Sequence, residues 1–270
     1  MRKSLAPVFA AVCAVLLAAP HASHAVTFGS PDGQAHPYVG TILFQTPGGI
    51  YSCTATLLSP TVLLTAGHCA SEGGVANQRT WFKSDPAISF PGRANYPSLA
   101  AYLDDPKNGW VSGDAIAHPQ YADFAQFPST YDIGVVLLKK AVSRPAYGAL
   151  PPAGFLESVK PRDNQFTVVG YGMQGYIKPF YEDTYARYQG SVRLVELNST
   201  WNAGLSAKYS NSPGTGGGSC YGDSGGPVFY GNTNMVVSVV SWGKTPCIGV
   251  DYQFRVDTPV ALDFVRQYLR

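Results

Sequence analysis

Apolar residues along this chain fall into short blocks separated by glycine, proline and small polar residues. The blocks predict strands near residues 38–45, 51–58, 61–65, 133–138, 165–171, 190–196, 227–230 and 235–242. Runs such as Val62-Leu63-Leu64 and Gly134-Val135-Val136-Leu137-Leu138 are apolar without interruption, as expected of strands buried on both faces. A 3.6-residue period is clear only at the C-terminus. There Thr258 is placed to cap a helix over 259–270, Pro259 fits its first turn, and Val260, Phe264, Val265 and Tyr268 share a face. The pattern is that of an all-β chain with one terminal helix.

Composition agrees, with 29 glycines, 21 prolines and only 13% charged residues favouring short strands and tight turns. The first 25 residues stand apart. Arg2 and Lys3 precede a nearly unbroken apolar run from Leu5 to Ala19, and Ser23-His24-Ala25 offers a small-residue cleavage site. We read residues 1–25 as a secretory signal peptide; as a membrane anchor the run is short and it breaks at Pro20. Its removal takes Cys13 and leaves Cys53, Cys69, Cys220 and Cys247, an even number suited to two disulfides in a secreted chain. Losing Arg2 and Lys3 brings the 19 basic residues to 17, matching the 17 acidic ones. That balance gives no footing for a nucleic-acid or membrane-surface role.

The run Cys220-Tyr221-Gly222-Asp223-Ser224-Gly225-Gly226-Pro227 sets one serine among glycines that let backbone N–H groups approach a substrate. By itself the octapeptide also suits a plain tight turn. A serine hydroxyl needs a base, and outside the leader the histidines are His36, His68 and His118, all upstream of Ser224. Gly222–Gly226 satisfies G-x-S-x-G, but an α/β-hydrolase places its histidine after the serine, so chain order excludes that fold. His68 follows the apolar run 62–64 in Leu64-Thr65-Ala66-Gly67-His68-Cys69, a turn at the end of a buried strand. Asp132 heads the apolar strand at Ile133, where a partly buried carboxylate wants a donor such as an imidazole. Asp114 and Asp123 are rival acids, though neither leads so apolar a strand.

The patches Thr65-Ala66-Gly67-His68-Cys69, Asp132–Leu138 and Gly222-Asp223-Ser224-Gly225-Gly226-Pro227, in that order, resemble the trypsin/chymotrypsin family of serine endopeptidases. Ser241-Trp242-Gly243 and Val169-Gly170-Tyr171-Gly172 extend the resemblance, which spans most of the chain after the leader. It implies two six-stranded Greek-key β-barrels, the first over about 26–145 and the second over about 160–258. The site would lie between them, with the crossover in Ser143–Pro161. It implies catalysis by His68, Asp132 and Ser224, an oxyanion hole at Gly222 and Ser224, and disulfides Cys53–Cys69 and Cys220–Cys247. It also implies that an N-terminus at Val26 folds inward to pair with Asp223. Substrates would be proteins or peptides, with no cofactor and no metal, and the protein would be a monomer. The span from Ser71 to Gly113 is longer than the family usually has and receives no role.

For the primary pocket, the resemblance points to Gly218, Ser219, Ser241, Trp242, Gly243 and Asp251. Trypsins have an aspartate where this chain has Gly218, so direct recognition of a cation from that position is missing. Asp251 offers two outcomes. Pointing inward, it favours Arg or Lys substrates; as a solvated loop residue, it leaves an apolar pocket for aromatic or Leu side chains. Two other function classes stand beside the protease, a non-catalytic binding protein on the same fold and an esterase using the same triad.

Overall fold

The computed structural model describes residues 26–72, 75–160, 163–177 and 180–269; the expected signal peptide lies outside them. The first half is a closed barrel of six antiparallel strands. In order around the barrel these are Val39–Thr46, Gly49–Ser59, Val62–Thr65, Gly134–Leu138, Val111–Ala117 and Arg79–Lys83, which returns to the first. Ile42, Leu57, Leu63, Leu64, Val135 and Val136 are fully buried and belong to one hydrophobic cluster, the successive pairs facing opposite sides of their strands. One of its strands, Arg79–Lys83, falls within the span from Ser71 to Gly113 that received no role, and another, Val111–Ala117, begins there.

Between those two strands the chain builds a small annex. A helix Leu99–Asp104, capped by the Ser98 hydroxyl accepting from Ala101 N (3.1 Å), packs Tyr102 and Leu103 against Trp81 and Trp110. The annex also reaches the other half of the molecule, where Ile88 N donates to Tyr185 O and Arg187 N to Pro86 O (both 2.8 Å).

The second half carries the other part of the expected two-barrel fold, a half-barrel of antiparallel strands in one sheet. The expected strand 190–196 bends within it. It divides at Arg193 into Tyr188–Val192, which pairs with Phe166–Gly170, and Leu194–Glu196, which pairs with Ser206–Asn211. One bent segment thus serves two different neighbours, the usual way a sheet turns a corner. The middle strands are Pro227–Tyr230, Val236–Gly243 and Gly249–Arg255. The outermost contribution is Ser30–Pro31, whose residues pair with Gln189 and Tyr188 and so tie the N-terminal segment to the sheet.

The C-terminal helix spans Pro259–Arg266, shorter than expected, with the Thr258 hydroxyl accepting from Ala261 N as its cap. Its buried face is Ala261, Leu262, Phe264 and Val265, while Val260 is only half-buried. Phe264 meets His118 of the first half edge to face (5.1 Å), so the helix clasps the two halves together. Among the described residues, no helix is long and apolar enough to cross a membrane.

Candidate active site

His68 sits on the one-turn helix Gly67–Ala70 that ends the strand Val62–Thr65, and Asp132 lies just before the neighbouring strand Gly134–Leu138. Pairing of Thr65 with Gly134 brings the two side chains together. His68 Nδ1 lies 2.9 Å from Asp132 Oδ2, and His68 N donates to Asp132 Oδ1 (2.8 Å). The Ser241 hydroxyl donates to Asp132 Oδ2 (2.5 Å) from the second half of the molecule. Burial pushes the Asp132 carboxyl upward, but the imidazole charge and these hydrogen bonds together hold it below the ordinary carboxylate range. His68 is its counterpart. Burial pulls its pKa down, and the Asp132 charge and hydrogen bond, with a smaller contribution from Asp123, bring it out raised. With Nδ1 donating to a carboxylate, the neutral ring keeps Nε2 as a free base. The disulfide Cys53–Cys69 fastens this turn to the strand Gly49–Ser59, so neither sulfur is available to a metal.

Asp114, one rival acid, is exposed and pairs with Lys139 (3.2 Å). Asp123, the other, is exposed on the cavity wall near His68, where Tyr121 donates to it (3.3 Å). It reaches the histidine through its charge alone.

Ser224 is half-buried and lines the same cavity as His68, an open cleft of about 660 Å³ between the two halves. The loop around it is held through its backbone. Tyr221 O accepts from Met173 N (2.8 Å) and Asp223 O from Gly226 N (2.8 Å). In a planar trans peptide the N–H points opposite the C=O, so the N–H groups of Gly222 and Ser224 are turned away from those donors. Neither has an acceptor among the described residues, and both residues line the cavity. Two such N–H groups can hold a negatively charged oxygen. Thr54 braces the loop from the first barrel, its N donating to Ser224 O (2.8 Å) and its hydroxyl to Gly222 O (2.9 Å). Gly225, at φ +77°, lies so close to Thr65 that a Cβ would stand 2.0 Å from its hydroxyl, so no other residue fits after the serine.

The structure brings Ser219, Ser241, Trp242, Gly243 and Asp251 to the cavity wall, together with Cys220 and Cys247, which are joined by the second disulfide. Trp242 lies flat on Tyr252 (3.9 Å between ring centres) with Phe127 against its edge. Asp251 is in the strand Gly249–Arg255, opposite Gly243, and only 2% exposed. Its placement as a solvated loop residue is therefore corrected. Burial pushes its carboxyl upward, and hydrogen bonds from Asn211 and Ser219 only partly offset that. Gly218 itself is not among the residues that line the cavity, whose wall at this point is its neighbour Ser219. The space a side chain at 218 would use is filled by Asn211, whose Cγ is 2.0 Å from the position of a Cβ there.

The chain matches the family model Trypsin over residues 27–265. It belongs to the trypsin family. A trypsin of Saccharopolyspora erythraea is 26% identical over 225 residues, covering 78% of this chain and 83% of that protein. A trypsin of Phaedon cochleariae is 29% identical over 205 residues, covering 71% and 68%. The solved structure of HL collagenase superposes with a TM-score of 0.65 at 18% identity, covering 90% of this chain and 98% of the other. Protease Anisep of Arthrobacter nicotinovorans does so at 0.59 and 17%, covering 91% and 99%. These likenesses establish the two-part β fold with its cleft.

The described N-terminal segment packs against the second sheet. Val26 is fully buried in the core of the second sheet, against Phe166, Val168 and Tyr188. Thr27 O accepts from Gly218 N (3.1 Å). Asp223 is buried and accepts from Gly172 N (2.7 Å) and Cys220 N (2.9 Å), with no cationic side chain paired to it among the described residues. Burial pushes its carboxyl up to about 7, against those two donors. Thr54, Asn211 and the hydroxyl of Ser241 as a ligand of Asp132 were not found from the sequence. Thr54 carried only a strand pattern, and Asn211 lies in a strand that pattern did not predict.

Proposed function

We propose that the protein is a secreted serine endopeptidase using His68, Asp132 and Ser224. The observation that carries this is the pairing of a carboxylate-held imidazole and a serine in one cleft, beside two N–H groups that have no acceptor. His68 Nε2 takes the proton of the Ser224 hydroxyl as Oγ bonds to the peptide carbonyl carbon. The carbonyl oxygen gains the negative charge and is held by Gly222 and Ser224 N–H. Collapse breaks the C–N bond, the His68 proton goes to the leaving amine, and an acyl-enzyme remains. Water then repeats the sequence and frees the acid and Ser224. Asp132 stays ionised throughout, opposite the imidazolium. Substrates are proteins or peptides, and nothing in the chemistry calls for a cofactor.

Secretion is supported by the leader-like residues 1–25 and by two disulfides. Cleavage after Ala25 frees the Val26 amine, which pairs with Asp223 and completes the nucleophile loop without a separate zymogen stage. The burial of Val26 and the lack of a cation at Asp223 both favour this.

The test is covalent labelling by a fluorophosphonate and hydrolysis of casein, comparing the secreted protein with Ser224→Ala. Labelling and hydrolysis confined to the wild type are expected, with a loss in kcat of about 10⁶ in the variant. Equal, negligible turnover by both would overturn the protease in favour of a binding protein. Hydrolysis of a lipid ester without casein would indicate an esterase.

A further inference from the structure

The primary pocket holds a buried polar unit that the reaction does not use. Asn211 is fully buried, and every polar atom of its side chain is engaged. Its Nδ2 donates to Ser219 O (2.8 Å) and to Asp251 (2.8 Å to Oδ2, 3.0 Å to Oδ1). Its Oδ1 accepts from the hydroxyl of Thr27 (2.8 Å), the second residue of the expected mature chain. Acceptors on one side and a donor on the other fix the amide in one orientation. Thr27 is itself only 3% exposed.

Asp251 is unevenly occupied. Oδ2 also accepts from Ser219 N and from the Ser219 hydroxyl, both at 2.8 Å. Oδ1 has only the longer contact to Asn211 and faces Gly243 on the cavity wall, 2.7 Å from where a Cβ would stand. One carboxylate oxygen is thus engaged inside the wall while the other keeps acceptor capacity towards the cleft. A cation entering the pocket is the partner that such a buried carboxylate lacks.

We propose that Asn211, seated by Thr27, is the positioning residue that presents Asp251 to the cationic side chain of a Lys or Arg substrate. The proposal rests on the peptidase reading above and deepens it. Asn211 occupies the floor left open by Gly218 and fixes the carboxylate on the adjoining wall. Selectivity for a cation is then tied to the N-terminal segment, because an empty place at Thr27 leaves Asn211 Oδ1 buried without a donor. In the mature protein Thr27 is one residue from the new terminus, so the pocket and the nucleophile loop are set by the same N-terminal segment.

The experiment measures kcat/KM for matched peptides that differ only at the scissile residue, Arg against Leu. Wild type should favour Arg. Thr27→Val keeps the shape and removes the donor, and it should lower the Arg/Leu ratio about tenfold, mainly through KM of the Arg peptide. Asn211→Leu should lower it at least as far, and Thr27→Ser should restore it. A purely structural role would lower both peptides alike and leave the ratio in place. An unchanged ratio in Thr27→Val, or a loss in Thr27→Ser as large as in Val, overturns the proposal. A wild type that prefers Leu overturns it as well. If the variants do not fold, wild type still decides: benzamidine should compete with substrate far better than neutral benzamide, and equal inhibition overturns the proposal. Absence of both cleavage and Ser224 labelling would instead remove the peptidase reading on which it stands.

Discussion

Asp132, beside the first barrel, and Asp223, in the loop before the strand Pro227–Tyr230, are both completely buried, yet their carboxyls shift in opposite directions. Burial disfavours the charge equally in kind at both places. At Asp132 it is outweighed by an imidazole, a hydroxyl and an N–H. At Asp223 there are two backbone N–H groups and, among the described residues, no cation, and its pKa rises to about 7. The same contrast runs through the two halves. In the closed barrel, a strand pairing places His68 beside its acid, and the hydroxyl of Ser241 from the second half completes the pair. In the second half the nucleophile loop is held by backbone turns and by Thr54 from across the cleft, and Val26 is buried in the core of its sheet. On the function proposed above, the charge that Asp223 lacks comes from processing of the N-terminus.

The largest expected effect removes the partner that makes Asp132 different. Asp132→Asn leaves the shape but allows His68 the wrong tautomer, and kcat should fall about 10⁴-fold. Steady-state kinetics on any cleaved peptide check this, and a loss below tenfold would mean that the pair does not govern the base.

The next change deprives Asp223 of its expected partner. An Ala-Ala extension before Val26 should cost at least about a hundredfold in kcat, the scale of losing one oxyanion donor. Its stability should also depend on pH. A carboxyl raised from its unfolded value near 3.8 to about 7 stabilises the fold below pH 4, and that contribution is lost as pH rises through 7. The amine of the mature chain offsets the loss. Melting temperatures of the extended and mature forms, both carrying Ser224→Ala, should therefore coincide near pH 4 and separate by pH 7. A gap independent of pH would show that Asp223 is not the group involved.

The smallest effect probes how closed the histidine pair is. Asp123 adds to the raised pKa of His68 from an exposed position. Activity should fail on acidification above the ordinary histidine value near 6.5, as His68 takes its proton. Asp123→Asn should move that acid limb down, by less than any change at Asp132 would. A pH profile of kcat/KM that does not move would assign the raised value to Asp132 alone.

Elements with continuous apolar runs were legible along the chain, because burial on both faces leaves a local mark. Val62–Thr65, Gly134–Leu138, Pro227–Tyr230 and Val236–Gly243 lie within a residue or two of their expected places. Ser206–Asn211 and Gly249–Arg255 left no such mark. Their inward positions include Asn211, Asp251, Gln253 and Arg255, buried polar groups that mimic a loop in sequence and become strand only when each finds its partner. His68, Asp132 and Ser224 were readable because each sits in a short patch of small or apolar neighbours. Asn211 and Thr54 were not, since their partners Asp251, Gly222 and Ser224 are far away in the chain.

By itself, then, the sequence determined the all-β class, the terminal helix, and the order of histidine, acid and serine, all of which rest on local patterning and chain order. Tertiary structure alone decided that the segment 188–196 bends between two partner strands, that Asn211 stands where a side chain at Gly218 would be, and that Asp251 is buried in the cleft wall. Those outcomes depend on which buried polar groups meet across the fold. A hydrogen bond between residues 184 positions apart, such as that from Thr27 to Asn211, leaves no periodicity in either segment.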